Sequence, residues 1–235
     1  MIGRRKRLAA IAGGGVAGLS AALALLARGW EVRVFERAPA IGEAGAGLQI
    51  SANGYRALSA LGVAETVAAR ASAAETIVMR RGRSGRRLAE VPLGAAAERR
   101  WRAPYLQVHR VDLIAALQGA LEARAPGAVM TGAEAVGFRQ EGAAALRLAD
   151  GREVEADLIV GADGLRSALR TAMLGPEAPR FTGYAAWRGI APAARLVAAT
   201  PLVTAWSGPG RHAVTYPLRG GELVNFVGVT AEPDW

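Results

Sequence analysis

The hydrophobic pattern opens with Leu8–Ala12, an unbroken apolar run that stops at Gly13. That is how a strand buried on both faces of a parallel sheet reads. A turn of glycines follows, then a helical stretch from about Val16 to Arg28, for which Gly29 supplies the C-terminal stop. Glu31 to Glu36 alternates residue by residue and predicts a second strand. A glycine-rich loop, Gly42 to Gly47, leads to a helix opening near Ser51 or Asn53. This helix carries Tyr55, Leu58 and Leu61 on one face and ends at Gly62. Residues 76–80 and 86–91 predict a hairpin around the Gly82–Gly85 turn. Asp112 is expected to cap a helix carrying Leu113, Leu117 and Leu121, and two further strands are expected to meet at Asp150-Gly151. Leu158, Ile159 and Val160 predict a buried strand ending at Gly161-Ala162-Asp163-Gly164. Beyond residue 180 the pattern changes to β segments separated by Gly and Pro. The fold class is therefore α/β with a mostly parallel sheet over residues 1–178, followed by the start of a β-rich second domain over 179–235.

The glycines of the first turn carry the first chemistry. Gly13-Gly14-Gly15-Val16-Ala17-Gly18 matches G-x-G-x-x-G. Gly13 permits a tight turn out of the strand, Gly15 lets the backbone approach a pyrophosphate, and Gly18 lets the helix pack close to the sheet. Phosphates would then sit at a helix N-terminus, where unpaired N–H groups and the helix dipole favour negative charge. Glu36 closes the second strand 18 residues past Gly18, at the spacing of an acceptor for a ribose hydroxyl. A glycine-rich turn in some other α/β fold is the bland alternative. The βαβ unit serves the adenosine half of FAD and of NAD equally, so it does not separate them.

Charge and composition change the picture little. The net charge is +9, but it is carried by scattered arginines, with clusters only at Arg4–Arg7 and in the loop of Arg80, Arg81, Arg83, Arg86 and Arg87. Neither cluster is interleaved with the aromatic residues that stack on bases, so no nucleic-acid partner is expected. No apolar stretch reaches the ~18 residues of a membrane span, and no membrane partner is expected. The basic start runs too quickly into the glycine turn to be a signal peptide. Without cysteine there are no disulfides and no zinc site of the cysteine type, and no metal is expected. A cytoplasmic location follows from those absences.

Later motifs complete a resemblance. Gly45-Ala46-Gly47-Leu48-Gln49-Ile50-Ser51-Ala52-Asn53, His109-Arg110-Val111-Asp112-Leu113, Asp157 through Ser167, Gly183 through Gly189, and Gly208 to Gly221 follow the fingerprint in order. Together they resemble the FAD-dependent aromatic monooxygenases, the class A flavoprotein hydroxylases. The resemblance implies a Rossmann-type FAD-binding domain with FAD as cofactor and NADH or NADPH as co-substrate. It also implies O2 and a small aromatic substrate as partners, and it leaves a homodimer open. A heteroaromatic or non-aromatic substrate, or a flavin-binding module without turnover, are the rival readings.

The same resemblance implies residue roles. Gly13, Gly15, Val16, Ala17, Gly18, Glu36 and Arg37 would hold the adenosine half of FAD. Asp163 and Gly164 would serve FAD and NAD(P)H binding, against a plain helix-capping turn. Arg110 would meet the phosphate or ribityl side of the cofactor, against a solvated surface arginine. Gln49, in the loop before the helix at Ser51, would lie near the flavin ring. His212 and Tyr216, four apart on an expected strand, would share a face and line the aromatic pocket. Tyr216 would orient a phenol and His212 accept a proton, against an ordinary half-buried pair on a sheet. His109 reads as structural. The family's third fingerprint, Gly-Asp followed by Ala-Ala-His-Pro, is not found before Trp235. The chain therefore reads as an N-terminal portion, expected not to hydroxylate efficiently by itself.

Overall fold

The computed structural model describes residues 6–42, 45–196 and 202–233. The basic positions 4 and 5, residues 43–44 of the glycine-rich loop, and Trp235 lie outside them. The chain divides into two compact units that are each discontinuous in sequence: Met1–Glu43 with Ile114–Pro179, and Ala44–Leu113 with Arg180–Trp235.

The first unit is organised by a four-stranded parallel sheet. Its order is Leu158–Gly161, then β1 (Leu8–Ala12), then β2 (Glu31–Glu36), then Val129–Thr131. In the middle of the sheet, Ala9, Ala10, Ile11 and Ala12 of β1 are wholly buried, as the unbroken apolar run predicts. β2 alternates because it buries Val32 and Val34 while Glu31 and Arg33 face water. Between them, α1 (Val16–Leu26) buries Gly18, Leu19, Ala22 and Leu23, one stripe of a 3.6-residue period. A three-stranded antiparallel sheet of Ala135–Arg139, Ala145–Leu148 and Glu153–Glu155 includes the hairpin expected at Asp150-Gly151. Ala10, Ala12, Phe35, Leu146, Leu148 and Leu169 form one core cluster. One expectation needs correction: Leu158, Ile159 and Val160 are half-buried rather than buried. Their strand stands at the edge of the parallel sheet, so among the described residues one flank has no neighbouring strand to cover it.

The second unit holds a six-stranded sheet. Its order is Tyr184–Pro192, Leu223–Ala231, Arg211–Leu218, Val203–Gly208, Thr76–Arg81 and Arg87–Pro92. All pairings are antiparallel except that of Val203–Gly208 with Thr76–Arg81, which is parallel. The expected hairpin of residues 76–91 thus forms, and it extends the β-rich sheet that begins beyond residue 180. A smaller sheet sets Leu106–His109 between Gly47–Ile50 and Ser72–Ala73. The core of this unit gathers Ala74, Leu93, Ala97, Val203, Tyr216 and Leu218, with Tyr105 and Ile190 packed against it. The helix Ala52–Leu61 ends, as predicted, at Gly62, whose φ of +74° is the left-handed C-terminal stop.

Candidate functional site

In the first unit the backbone itself builds a cradle. β1 ends at Gly13, whose φ of +100° excludes most side chains. A Cβ there would lie 2.3 Å from the Ala162 carbonyl oxygen, so the glycine turn and the Ala162-Asp163 turn abut. A Cβ at Gly18 would lie 1.9 Å from the Gly13 carbonyl oxygen, so only glycine lets α1 pack this close to the turn. Gly15 differs. It sits at the N-cap of α1, makes no side-chain cap, and a Cβ there would meet nothing within 4 Å. A helix N-terminus with no capping side chain, no acidic residue in its first turn and open space beside its first glycine suits a pyrophosphate. These residues fit the phosphates of a dinucleotide.

Glu36 closes the cradle. One carboxylate oxygen accepts the Gly14 N–H at 2.6 Å and the other accepts the Ala38 N–H at 2.9 Å. An ionised carboxylate offers about four acceptor positions, so two remain for ribose hydroxyls. Arg37 beside it is exposed, and Val16 and Ala17 are the first residues of α1. Asp163 is half-buried and already employed: it accepts from the Ser167 hydroxyl at 2.6 Å and the Leu169 N–H at 3.2 Å. Ser167 in turn caps the helix Ala168–Leu174 through the Arg170 N–H. The helix-capping job weighed for this Asp-Gly turn is therefore present, with Gly164 at φ +84°.

The second unit assembles its polar groups from side chains. Gln49 lies in a strand, Gly47–Ile50, not in a loop, because Leu106–His109 pairs with it across a long sequence separation. It is exposed, and its side-chain oxygen accepts the Tyr105 hydroxyl at 3.0 Å. Arg110 begins the helix Arg110–Arg124, and its backbone N–H bonds to the Ala46 carbonyl. His109 receives the Val111 N–H on Nδ1 at 3.2 Å, a local structural contact. Asp112 lies within the first turn of this helix rather than capping it. Its carboxylate, 4% exposed, holds both Nε and Nη2 of Arg219, at 2.9 and 3.0 Å. Burial pushes this carboxyl up. The Arg219 hydrogen bonds and charge, with His109 and Arg70, outweigh burial, and the net value lies below the ordinary carboxylate range.

His212 and Tyr216 share the strand Arg211–Leu218 but occupy different surroundings. His212 is exposed and lines a groove with Trp187, Trp206 and Phe226. Among the described residues, that groove does not include Tyr216. Tyr216 is 5% exposed and packs in the core, its ring so close to Gly47 that a Cβ there would lie 2.6 Å from it. Burial pushes the Tyr216 hydroxyl up to about 12, against the opposing charge of Arg188 and with a small push from Tyr105. Its phenol is a hydrogen-bond donor at any ordinary pH.

Sequence reasoning passed over Tyr105, Gln107 and Asn225. The signal was present, since Gln107 and Asn225 are polar residues inside otherwise apolar strand runs. Asn225 is fully buried, and its side-chain oxygen accepts the Gly47 N–H at 2.6 Å.

A parallel sheet with this glycine cradle defines a dinucleotide-binding architecture. The chain belongs to the FAD binding domain family, which it matches over residues 7–225. It is 42% identical to a 3-amino-4-hydroxybenzoate 2-monooxygenase of Streptomyces platensis, over 98% of this chain and 58% of the relative. It is 38% identical to a 3-hydroxybenzoate 6-hydroxylase of Polaromonas naphthalenivorans, over 92% of this chain and 55% of the relative. Among solved structures it resembles Klebsiella pneumoniae HpxO complexed with FAD and uric acid. The TM-score is 0.84 at 25% identity, over 97% of this chain and 57% of that one. The chain spans less than three-fifths of the length of these relatives. Among the described residues, no helix is long and apolar enough to cross a membrane.

Proposed function

We propose that this chain is the cofactor-binding and substrate-orienting part of an FAD-dependent monooxygenase acting on a small hydroxylated aromatic acid. The observation that carries the reading is the open Gly15 at the uncapped N-terminus of α1, with the Glu36 carboxylate held against the same turn by the Gly14 N–H. The two monooxygenases named above, whose names specify benzoate derivatives, supply the substrate class. The net reaction takes an aromatic C–H, O2, NAD(P)H and a proton to a phenol, water and NAD(P)+. Bound FAD would carry electrons from NAD(P)H to O2 and activate one oxygen atom for the ring.

In this reading residues 1–178 form the FAD-binding domain and 179–235 the first part of a substrate domain. Gly13, Gly15, Val16, Ala17 and Gly18 hold the pyrophosphate, and Glu36 and Arg37 the adenosine side. Asp163-Gly164, Arg110 and Gln49 serve the cofactor further along its length. Tyr216 donates a hydrogen bond to the substrate, and His212 accepts a proton. The proposal includes a cytoplasmic protein that self-associates as a homodimer, an assembly that size-exclusion chromatography with light scattering would measure. One related structure is a tetrameric form of its protein.

The test is to load the purified chain with FAD and follow NADH and NADPH oxidation with 3-hydroxybenzoate and 3-amino-4-hydroxybenzoate, with product analysis. NAD(P)H oxidation stimulated by an aromatic acid supports the proposal, with little hydroxylated product expected from this portion alone. Retained flavin with no oxidation under any acid would select a nucleotide-binding module without turnover. Failure to bind FAD at all would overturn the reading at its base.

A further inference from the structure

Side chains directly opposed on neighbouring strands share a face of the sheet. In the six-stranded sheet of the second unit, Trp187 pairs with Gly228, Gly228 with Ala213, and Ala213 with Trp206. Two indoles thus stand on one face with only a glycine and an alanine between them, three strand spacings or about 14 Å apart. Phe226 lies two residues from Gly228 on the same face, and its ring folds back over that glycine. A Cβ at Gly228 would lie 2.9 Å from the Phe226 Cζ. Tyr216 and His212 have the opposite parity to Ala213 on their strand, so the aromatic row lies on the face that Tyr216 does not use. His212 borders the row near the start of the strand.

The row is open to solvent. Trp187 is 65% and Phe226 43% exposed, and with the half-buried Trp206 they line a groove of about 1120 Å³. Small-molecule sites run roughly 300–1,000 Å³, so the groove is ample for one. Single exposed rings are ordinary, but three in one concavity mark a binding surface. The groove is also charged with one sign. Arg81, Arg83 and Arg211 line it, and among the described residues no Asp or Glu does. The Gly82 N–H donates to the Ser207 carbonyl at 2.8 Å and holds side by side the two hairpin tips that carry these arginines. None of the three guanidinium groups has a carboxylate partner among the described residues. Neutral polar side chains are few: Ser207, and Thr230, whose hydroxyl already donates to Glu232 at 3.0 Å. The polar edge of a nucleobase would lack partners there, whereas a hydrocarbon ring needs none.

We infer that this groove is a second small-molecule site, for an aromatic carboxylate whose ring lies against Trp187, Trp206 and Phe226 and whose anion meets Arg211 and the tip of Arg81 and Arg83. Indole and phenyl faces give a planar ring the offset or edge-to-face contacts it prefers. A guanidinium fork matches a carboxylate in shape and charge. The site is separate from the substrate position proposed at Tyr216, on the other face of the same sheet, and its occupation needs neither FAD nor turnover.

The test is a titration of the full chain followed by heteronuclear NMR of its indole N–H signals. Of the five tryptophans, the two in the groove are assigned with Trp187→Phe and Trp206→Phe. The probe is 2-naphthoate. Its amide, 2-naphthamide, keeps the rings without the charge; cyclohexanecarboxylate keeps the charge without a flat ring; AMP has both but a polar ring edge. The expected result is saturable movement of both groove signals with 2-naphthoate, and binding at least about tenfold weaker for the other three. Arg211→Gln and Trp187→Thr alter exposed side chains, so both should fold, and each should weaken 2-naphthoate about five- to tenfold. Groove signals that stay still would overturn the inference, as would equal affinity for the acid and either its amide or cyclohexanecarboxylate. Folded variants that bind 2-naphthoate like wild type would overturn it too. AMP binding as tightly as 2-naphthoate would replace the carboxylate with a nucleotide, and signals that follow protein concentration instead of ligand would make the groove an interface between copies. Because the readout involves no flavin, these outcomes are distinct from success or failure of the monooxygenase reading.

Discussion

The glycine cradle of the first unit and the buried polar side chains of the second are built on opposite principles. The cradle is made of backbone: its features are a positive φ at Gly13, the absence of a Cβ at Gly18, and free space at Gly15. Nothing in it depends on a distant side chain except the Glu36 carboxylate, which arrives on the next strand. The second set consists of side chains, Ser72, Tyr105, Gln107, Tyr216 and Asn225, on strands and a loop far apart in sequence. A backbone site announces itself in residue types, because only glycine satisfies its steric demands. A side-chain site is visible only after strands have been paired.

The largest effect should come from breaking the cradle's steric rule. Gly18→Val would drive a side chain into the Gly13 carbonyl, which backbone cannot yield. A destabilisation above about 4 kcal/mol is expected, seen as lost or much lowered thermal melting, since overpacking at a rigid backbone contact is among the most costly substitutions. A variant that melts like wild type would show that α1 does not pack as described.

Arg110→Ala comes next. It should weaken FAD binding by roughly 1.5–3 kcal/mol, the range for a hydrogen bond to a charged group. An unchanged FAD dissociation constant would return Arg110 to a structural role at the start of its helix.

The Asp112–Arg219 pair is a third and smaller test. Asp112→Asn should cost about 1–2 kcal/mol, discounted because Arg219 is 41% exposed and part of its charge is already solvated. The pH dependence has a definite sign. Asp112 is depressed in the fold, so its stabilising contribution is present above the unfolded value of about 3.9 and is lost as pH falls through the lower folded value. Denaturant titrations between neutrality and acid should show this loss in wild type, and less of it in Asp112→Asn. Equal acid sensitivity in the two proteins would remove the pair from the account.

The least disruptive change is Tyr216→Phe. Subtracting its ultraviolet titration from that of wild type should reveal one phenol ionising near 12. The fold keeps this hydroxyl protonated, so its contribution to stability is complete below about 10 and is lost as pH rises toward the folded value. A phenol that titrates near 10 would mean that Tyr216 is wetter than its burial implies.

The contrast between the two regions also explains what could be read in advance. β1, the Gly13–Gly18 turn, α1 and β2 were legible because period, glycine spacing and the terminal Glu36 all act within thirty residues. The strand Gly47–Ile50 was not, since four residues after a glycine-rich loop acquire strand character only from Leu106–His109. Asp112 read as a helix cap because its partner Arg219 lies far along the chain, on a turn at φ +50°. Gln107 drew no expectation from the sequence, and its unpaired amide is a property of packing alone. The even spacing of His212 and Tyr216 does place both on one strand. It could not show that burial rises along that strand from an exposed His212 to a buried Tyr216.

The central claim is that the open face of Gly15 receives the FAD pyrophosphate, and calorimetric titration of FAD into a graded series tests it directly. A Cβ at Gly15 meets nothing within 4 Å, so both Gly15→Ala and Gly15→Val should fold, with a loss of melting temperature no larger than a poorer N-cap gives. FAD affinity should fall with Ala and vanish with Val, and ADP should compete with FAD in wild type. A folded Gly15→Val protein that binds FAD with the wild-type dissociation constant would contradict the account.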